Sequence, residues 1–429
     1  MEEVVNELVN SKTKDEQTER HITINGNDIS QYVIVMPEFN VSHLVVRRAV
    51  ALADKIKAVT GMTVKWYRDY FFYEQACEIV VGDCRREGVE AVADRDTYTI
   101  RQVGDKVFVN GGRNYSQVAA LDALDAMLFG DGIVDTVGTF ESMSNGYKMA
   151  FCDDFDTFDR EMWSTLNYDQ GGTYGKWYGM STARSDRPEN LHVEDSKLYL
   201  TATHDDKTFY GAWADTSKSM KFAKGFMEIS CRLADGEGIW HDFWIFSDEK
   251  QRLEFDIAEC ESLGDNYGAC IHEWILDRTP RVATTRNPVH VMRDRTHVLQ
   301  TEDDWRDFRY HYEYDRSKSM NNEFHTIAAE WTDTDVYFFL DGKVYFHYVF
   351  EGTEYAYLYE KPHHFILSML VGANYARLPD DADNRVLGIK RPNLEGDYWG
   401  NDRGSFIIEY LHLFQKDGQI IHYLNKEEA

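Results

Sequence analysis

The sequence predicts an all-β jelly-roll sandwich over residues 149–419, preceded by a small α+β domain over residues 21–148. Three observations carry this. After residue 150 the chain becomes a succession of short alternating stretches, among them Leu198–Thr203, Gly225–Leu233, Asp335–Leu340, Phe365–Leu370 and Phe406–Gln415. Many short strands separated by turn signals make a sandwich or jelly roll. Before residue 148 two helical stripes alternate with a few strands. Between them these halves leave one anomaly, an apolar run that holds three acids, Leu253-Glu-Phe-Asp-Ile-Ala-Glu-Cys260.

In chain order, residues 1–20 are polar and charged and read as a solvated helix or tail. Ile22–Ile24 and Tyr32–Val35 have strand character. From Val41 to Thr60 the apolar residues Leu44, Val45, Ala49, Leu52, Ala53, Ile56 and Val59 keep a 3.6-residue stripe, and Gly61 supplies a C-terminal cap. Glu78–Gly82 is a short strand. Tyr98–Val103 and Lys106–Val109 form a hairpin across Gly104-Asp105. Asn114–Leu128 is a second helix, closed by Gly130. Two helices on one antiparallel or mixed sheet give the α+β unit. Gly111-Gly112 lacks the spacing of a phosphate loop. In the sandwich half, residues 278–322 form a long charged insertion that walls a cleft or mediates self-association, and residues 420–429 read as a tail.

The acidic run is the informative piece. Side chains alternate along a strand, so Glu254 and Asp256 share a face. Glu259 lies an odd number of positions from Glu254, and a regular strand would turn it away. A β-bulge near Ile257–Ala258 adds one residue and brings all three acids to one face. Like charges so placed push at least one pKa upward, and two carboxyls of separated pKa are what glycoside hydrolysis requires. Two other readings stand beside this one: oxygen ligands for calcium, and the solvated face of an antiparallel strand.

The run resembles the E-x-D-x-x-E signature of glycoside hydrolase family 16, the laminarinase-like group of retaining β-glycanases. Other pieces follow in that family's order: Phe151-Cys-Asp-Asp-Phe-Asp156 with Trp163, Asn190 through Leu200 with Ser196 at a usual glycine, Lys224 through Arg232, Gly238-Ile-Trp-His-Asp-Phe-Trp244, Ile271-His-Glu-Trp274, and Ile407 through Gln415. Tyr98 through Leu121 is weakly similar to the small domain that precedes the catalytic domain of β-hexosaminidases and α-glucuronidases; it carries no catalytic motif, and an accessory role is expected of it.

The resemblance implies roles. Glu254 is the expected nucleophile, Glu259 the acid–base, and Asp256 the residue that tunes both; retention needs the two carboxyls about 5–5.5 Å apart. His272 is expected near the leaving group, Trp240 and Trp244 as the floor of the cleft, and Asn190 and Glu228 as hydrogen-bond partners of sugar hydroxyls. Tyr174 and Trp177 belong to a glycine-rich loop within reach of sugar. Ser230 and His241-Asp242 depart from the family pattern, which puts inherited specificity in question. Family members often hold a structural calcium, here expected at Asp154 and Glu409; the chemistry itself requires no cofactor.

The expected activity is therefore endo-acting, retaining hydrolysis of a neutral β-glycan, foremost β-1,3- or β-1,3/1,4-glucan. A galactan substrate, transglycosylation, and a catalytically silent glycan-binding protein are the alternatives; the retained triad argues against the last. A net charge of −28 disfavours nucleic acid and, more mildly, anionic polysaccharides. No run reaches the ~20 apolar residues of a membrane helix. The six cysteines form no C-x-x-C pair, so no zinc site is expected, and they read as mostly buried free thiols. No signal peptide is visible, so the chain is either intracellular or secreted after a signal was removed. Oligomeric state is not legible.

Overall fold

The computed structural model describes residues 21–70, 72–167, 175–177, 180–248, 252–261, 266–275, 289–293, 322–354, 356–371 and 392–424. The chain forms two compact units, one of Met1–Pro37 and Arg47–Phe140, the other of Glu38–Val46 and Glu141–Ala429. No helix among the described residues is long and apolar enough to cross a membrane.

The first unit contains β1 (Val33–Met36), α1 (His43–Thr60) from Arg47 onward, β2 (Lys65–Arg68), β3 (Glu78–Val81), β4 (Thr97–Val103), β5 (Lys106–Gly111), α2 (Asn114–Leu128) and β6 (Thr136–Thr139). Its sheet is mixed, in the order β2-β1-β3-β5-β4-β6. The α1 stripe is buried as its spacing requires, from Leu44 to Ile56; only Val59 is exposed, at 38%. The helix begins at His43 rather than Val41, because Ser42 Oγ accepts the amide of Leu44 and serves as cap. Gly61 closes it with φ +74°. Arg48 bonds Asp122 and Asp125 of α2.

The second unit is a sandwich. Its strands include β7 (Lys148–Asp153), β8 (Gly175–Trp177), β9 (Met180–Arg184), β10 (Leu191–Glu194), β11 (Lys197–Thr201), β12 (Thr208–Asp215), β13 (Gly225–Arg232), β14 (Ile239–Phe246), β15 (Arg252–Glu261), β16 (Asn266–Ile275), β17 (Val289–Arg293), β18 (His325–Trp331), β19 (Asp335–Leu340), β20 (Lys343–Val349), β21 (His364–Val371) and β22 (Ser405–Gln415). One sheet runs β8-β9-β12-β21-β14-β15-β16-β17 and the other β10-β11-β22-β13-β18-β19-β20, with β7 paired to β22. Phe243, Phe255, Phe338, Phe365 and Trp331 fill the space between them, each with almost no exposure. The Asp341-Gly342 turn joins β19 to β20 with φ of +49° and +75°, a primed hairpin turn that matches strand twist.

Two boundaries differ from those the sequence suggests. Residues 141–148 go with the sandwich, where the Tyr147 hydroxyl donates to Glu330 at 2.7 Å. The expected tail at 420 begins with a strand, Ile420–Tyr423, paired with Met220–Ala223. Residues 1–20 and most of the 278–322 insertion lie outside the described residues.

Candidate active site

β15 positions the acids. Against β14 it pairs Phe246 with Glu254, Trp244 with Asp256, then Phe243 with Ala258 and Asp242 with Glu259. Ile257 is the extra residue, and the same shift recurs against β16, between Asp256 and Glu259. Directly opposed residues share a face. Glu254, Asp256 and Glu259 therefore lie on the face of Phe246, Trp244 and Asp242, while Phe255, Ile257 and Ala258 enter the core. A bulge leaves its extra residue out of the ladder. Here the Tyr345 hydroxyl, from β20 in the opposite sheet, donates to the Ile257 carbonyl.

Neighbouring strands extend this face. The Trp244 indole N–H donates to Ser368 Oγ at 3.1 Å, and Ser368 donates to Asp242 Oδ2 at 3.1 Å. Trp213 meets Trp244 edge to face, with centroids 5.4 Å apart. The Trp213 N–H donates to Asp215 at 2.6 Å, and the Arg184 guanidinium lies 3.8 Å from the Trp213 ring centroid. Aromatic faces beside carboxylates suit a sugar, which offers C–H faces and hydroxyls in turn.

His272 on β16 stands directly opposite Glu254, and its Nε2 is 3.1 Å from Asp256 Oδ2. Burial works against charging this imidazole. The Asp256 hydrogen bond and the charges of Asp256, Glu254 and Glu259 outweigh burial, and its pKa is pushed up to about 9. His272 is thus a cation at neutral pH set among acids. Glu254, Asp256 and His272 also offer donor atoms within 4.8 Å of one another, so their geometry alone would admit a cation.

Other expected site residues are placed differently. Trp240 and Trp244 both lie on the acidic face, so neither is lost to the core. Asn190 is fully buried, and its amide donates to Thr201 O and Thr203 Oγ1, so it braces β11. Glu228 is on β13, in the other sheet from the acids, buried and bonded by the Tyr410 hydroxyl at 2.9 Å. Glu228 is set apart from the acids because local sequence does not tell which sheet a strand joins. Ser230 likewise lies in the outer sheet, within 2.6 Å of Glu409 Oε2. His241 points into the core, where burial drops its pKa to about 3. Tyr174 and the Trp177 side chain lie outside the described residues. Asp154 and Glu409 take different partners: the first lies beside His412 and Cys152, the second beside Ser230. Asp242, Ser368, Trp213 and Arg184 were not singled out as site residues. Alternation along β14 from Trp244 was the one available signal, and it reaches only Asp242.

Residues 180–385 match the model of "Glycosyl hydrolases family 16". That segment runs from β9 through β21, includes the bulged strand and is similar to the domain of this family. A curated relative, glucan endo-1,3-beta-glucosidase A1 of Niallia circulans, is 19% identical over 277 residues, covering 56% of this chain and 36% of its own length. The match thus spans about a third of that relative. Solved structures similar to the chain include the laminarinase of Rhodothermus marinus, with 16% identity, 64% of this chain and 98% of that one, and TM-score 0.44. Another is the laminarinase catalytic domain of Thermotoga maritima, with 17% identity, 63% and 98% coverage, and TM-score 0.42.

Proposed function

We propose that the sandwich unit hydrolyses a neutral β-glycan from within the chain and retains anomeric configuration, with β-1,3- or mixed β-1,3/1,4-glucan as substrate. The observation that carries this is the bulge at Ile257, which brings Glu254, Asp256 and Glu259 to one face beside Trp244 and His272. In the reaction the Glu254 carboxylate attacks the anomeric carbon as Glu259 gives its proton to the departing glycosidic oxygen. A glycosyl ester forms on Glu254. Glu259 then takes a proton from water, which displaces Glu254 from the same face the bond was on. Asp256 lies between the two and is held by His272. The charge of His272 offsets the crowding of the acids. Calcium at Asp154 and Glu409, the family's expectation, remains a separate proposal to which the chemistry makes no appeal.

The test is release of reducing ends from purified β-1,3-glucan, mixed-linkage glucan and neutral galactan, with Glu254→Gln as control. Rapid loss of polymer length on a β-1,3-containing glucan, absent from the control, supports the reading. Cleavage of galactan alone overturns the substrate, and equal activity in the control overturns the site.

A further inference from the structure

On the sheet opposite the acidic site, we propose that Cys152, Asp154 and His412 bind a divalent cation of the zinc class. Cys152 and His412 are directly opposed across β7 and β22, and Asp154 is two residues beyond Cys152 on the same face. That face turns away from the sandwich interior, since Phe151, Leu411 and Leu413 enter the core. The three donor atoms lie within 4.8 Å of one another. His412 Nε2 is 3.5 Å from Asp154 Oδ1, and Cys152 Sγ is 3.4 Å from Asp154 Oδ2.

These separations, one to each Asp154 oxygen, leave room for one ion among the three residues. A charge-assisted hydrogen bond between imidazole and carboxylate would close to about 2.7–2.9 Å. Zinc bonds of about 2.0–2.3 Å at tetrahedral angles set ligand atoms roughly 3.3–3.6 Å apart. The donor types select the ion. Calcium takes oxygen only, whereas sulfur with imidazole and carboxylate suits zinc. Cys152 is exposed and His412 is 1% exposed, so the site opens to solvent on one side, where water supplies a fourth ligand. The His412 ring is already oriented, stacked on Tyr410 at 4.2 Å and 11°. Its other cross-strand neighbour is Glu228. Glu409 contributes nothing to this set, so the site differs from the calcium expected at Asp154 and Glu409. Sequence spacing missed it because its ligands are about 260 residues apart and adjacent only through the β7–β22 register. An ion here would fasten β7 to β22.

The experiment titrates the metal-stripped full chain, under reducing conditions, with cobalt(II) and then zinc. One equivalent of cobalt is expected to give a sulfur-to-cobalt charge-transfer band that zinc abolishes, and zinc is expected to raise the melting temperature. Cys152→Ser, a near-isosteric change at an exposed position, removes the band and the thermal shift. Asp154→Asn weakens zinc binding by at least the ~10–100-fold that losing even an outer partner costs. Absence of the band in the unaltered chain overturns the proposal. So does an undiminished band in Cys152→Ser, which would place the ion at another thiol. A cobalt spectrum with no sulfur contribution also overturns it, since Glu254, Asp256 and His272 would give that.

Discussion

Glu254 and Glu259 are chemically identical side chains, and only their surroundings separate them. Glu254 stands opposite His272, a cation, while Glu259 stands opposite Asp242, another acid. A carboxyl opposite a cation is held ionised, and one opposite an anion holds its proton more firmly. The proposed division of roles, Glu254 as nucleophile and Glu259 as acid, rests on this contrast. Glu254→Gln should lower turnover on the order of 10⁴-fold or more, as loss of an essential nucleophile does elsewhere, with folding intact; steady-state rates and a melting curve check this. Glu259→Ala should cost roughly 10²–10⁴ on natural glycan. It should cost far less on aryl glycosides, whose leaving groups need little protonation. Equal losses on both would remove Glu259 from the acid role. His272 adds a pH signature. Its pKa rises from an ordinary 6.5 to about 9 on folding, so the stability it contributes is full below about 6.5 and is lost as pH rises through 9. Urea unfolding of the native chain should show that decline, and His272→Gln should flatten it. The triad was legible in the sequence because its spacing is local to one strand. Asp242, Ser368 and Trp213 were not, because they join the site through the pairing of strands distant in the chain.

At the scale of the element, the site depends on one inserted residue. Without Ile257 in the bulge, Glu259 would turn toward Phe243 and the core. The bulge leaves a buried carbonyl to satisfy, and Tyr345 reaches across the sandwich to satisfy it. Tyr345→Phe should destabilise the chain by about 1–3 kcal/mol, the cost of a buried acceptor left without its donor. Because the bulge sets where Glu259 points, kcat should fall while KM for oligosaccharide changes little. A fall in stability with unchanged kcat would show that the bulge is held without Tyr345. Elements whose signals are local were read closely. Asn114–Leu128 is the helix expected, and the hairpin of β4 and β5 turns at Gly104. The start of α1 was misjudged because Val41 continues the apolar texture, whereas Ser42 ends the helix by capping it. Glu228 was misassigned for a different reason: alternation predicts which faces a strand has and not which sheet it enters.

For the molecule as a whole, the two units have separate cores, and the acids all belong to the second. The second unit also recruits Glu38–Val46 from the N-terminal part of the chain. Asn40 there adopts φ +52°, a conformation asparagine tolerates better than most residues. Its backbone N–H donates to Asp341 Oδ1 at 2.7 Å, and its side-chain oxygen accepts from Ser230 Oγ at 2.9 Å and Thr326 Oγ1 at 3.0 Å. Asn40→Ala keeps the backbone contact, loses the side-chain ones and strains the backbone. It should cost about 2–3 kcal/mol in chemical unfolding without altering substrate preference. The net charge of −28 sets a long-range field that repels anionic polymers, in keeping with a neutral glycan. In the proposed reaction a single bulge makes Glu254 and Glu259 a nucleophile and acid–base pair. The most direct test is proton NMR of the first products released from β-1,3-glucan, read before the anomers equilibrate. The β anomer appearing first, with the α anomer growing only later by mutarotation, is the predicted result. Release of the α anomer first would contradict it, because inversion needs a water between two more distant carboxyls and a different pairing of residues.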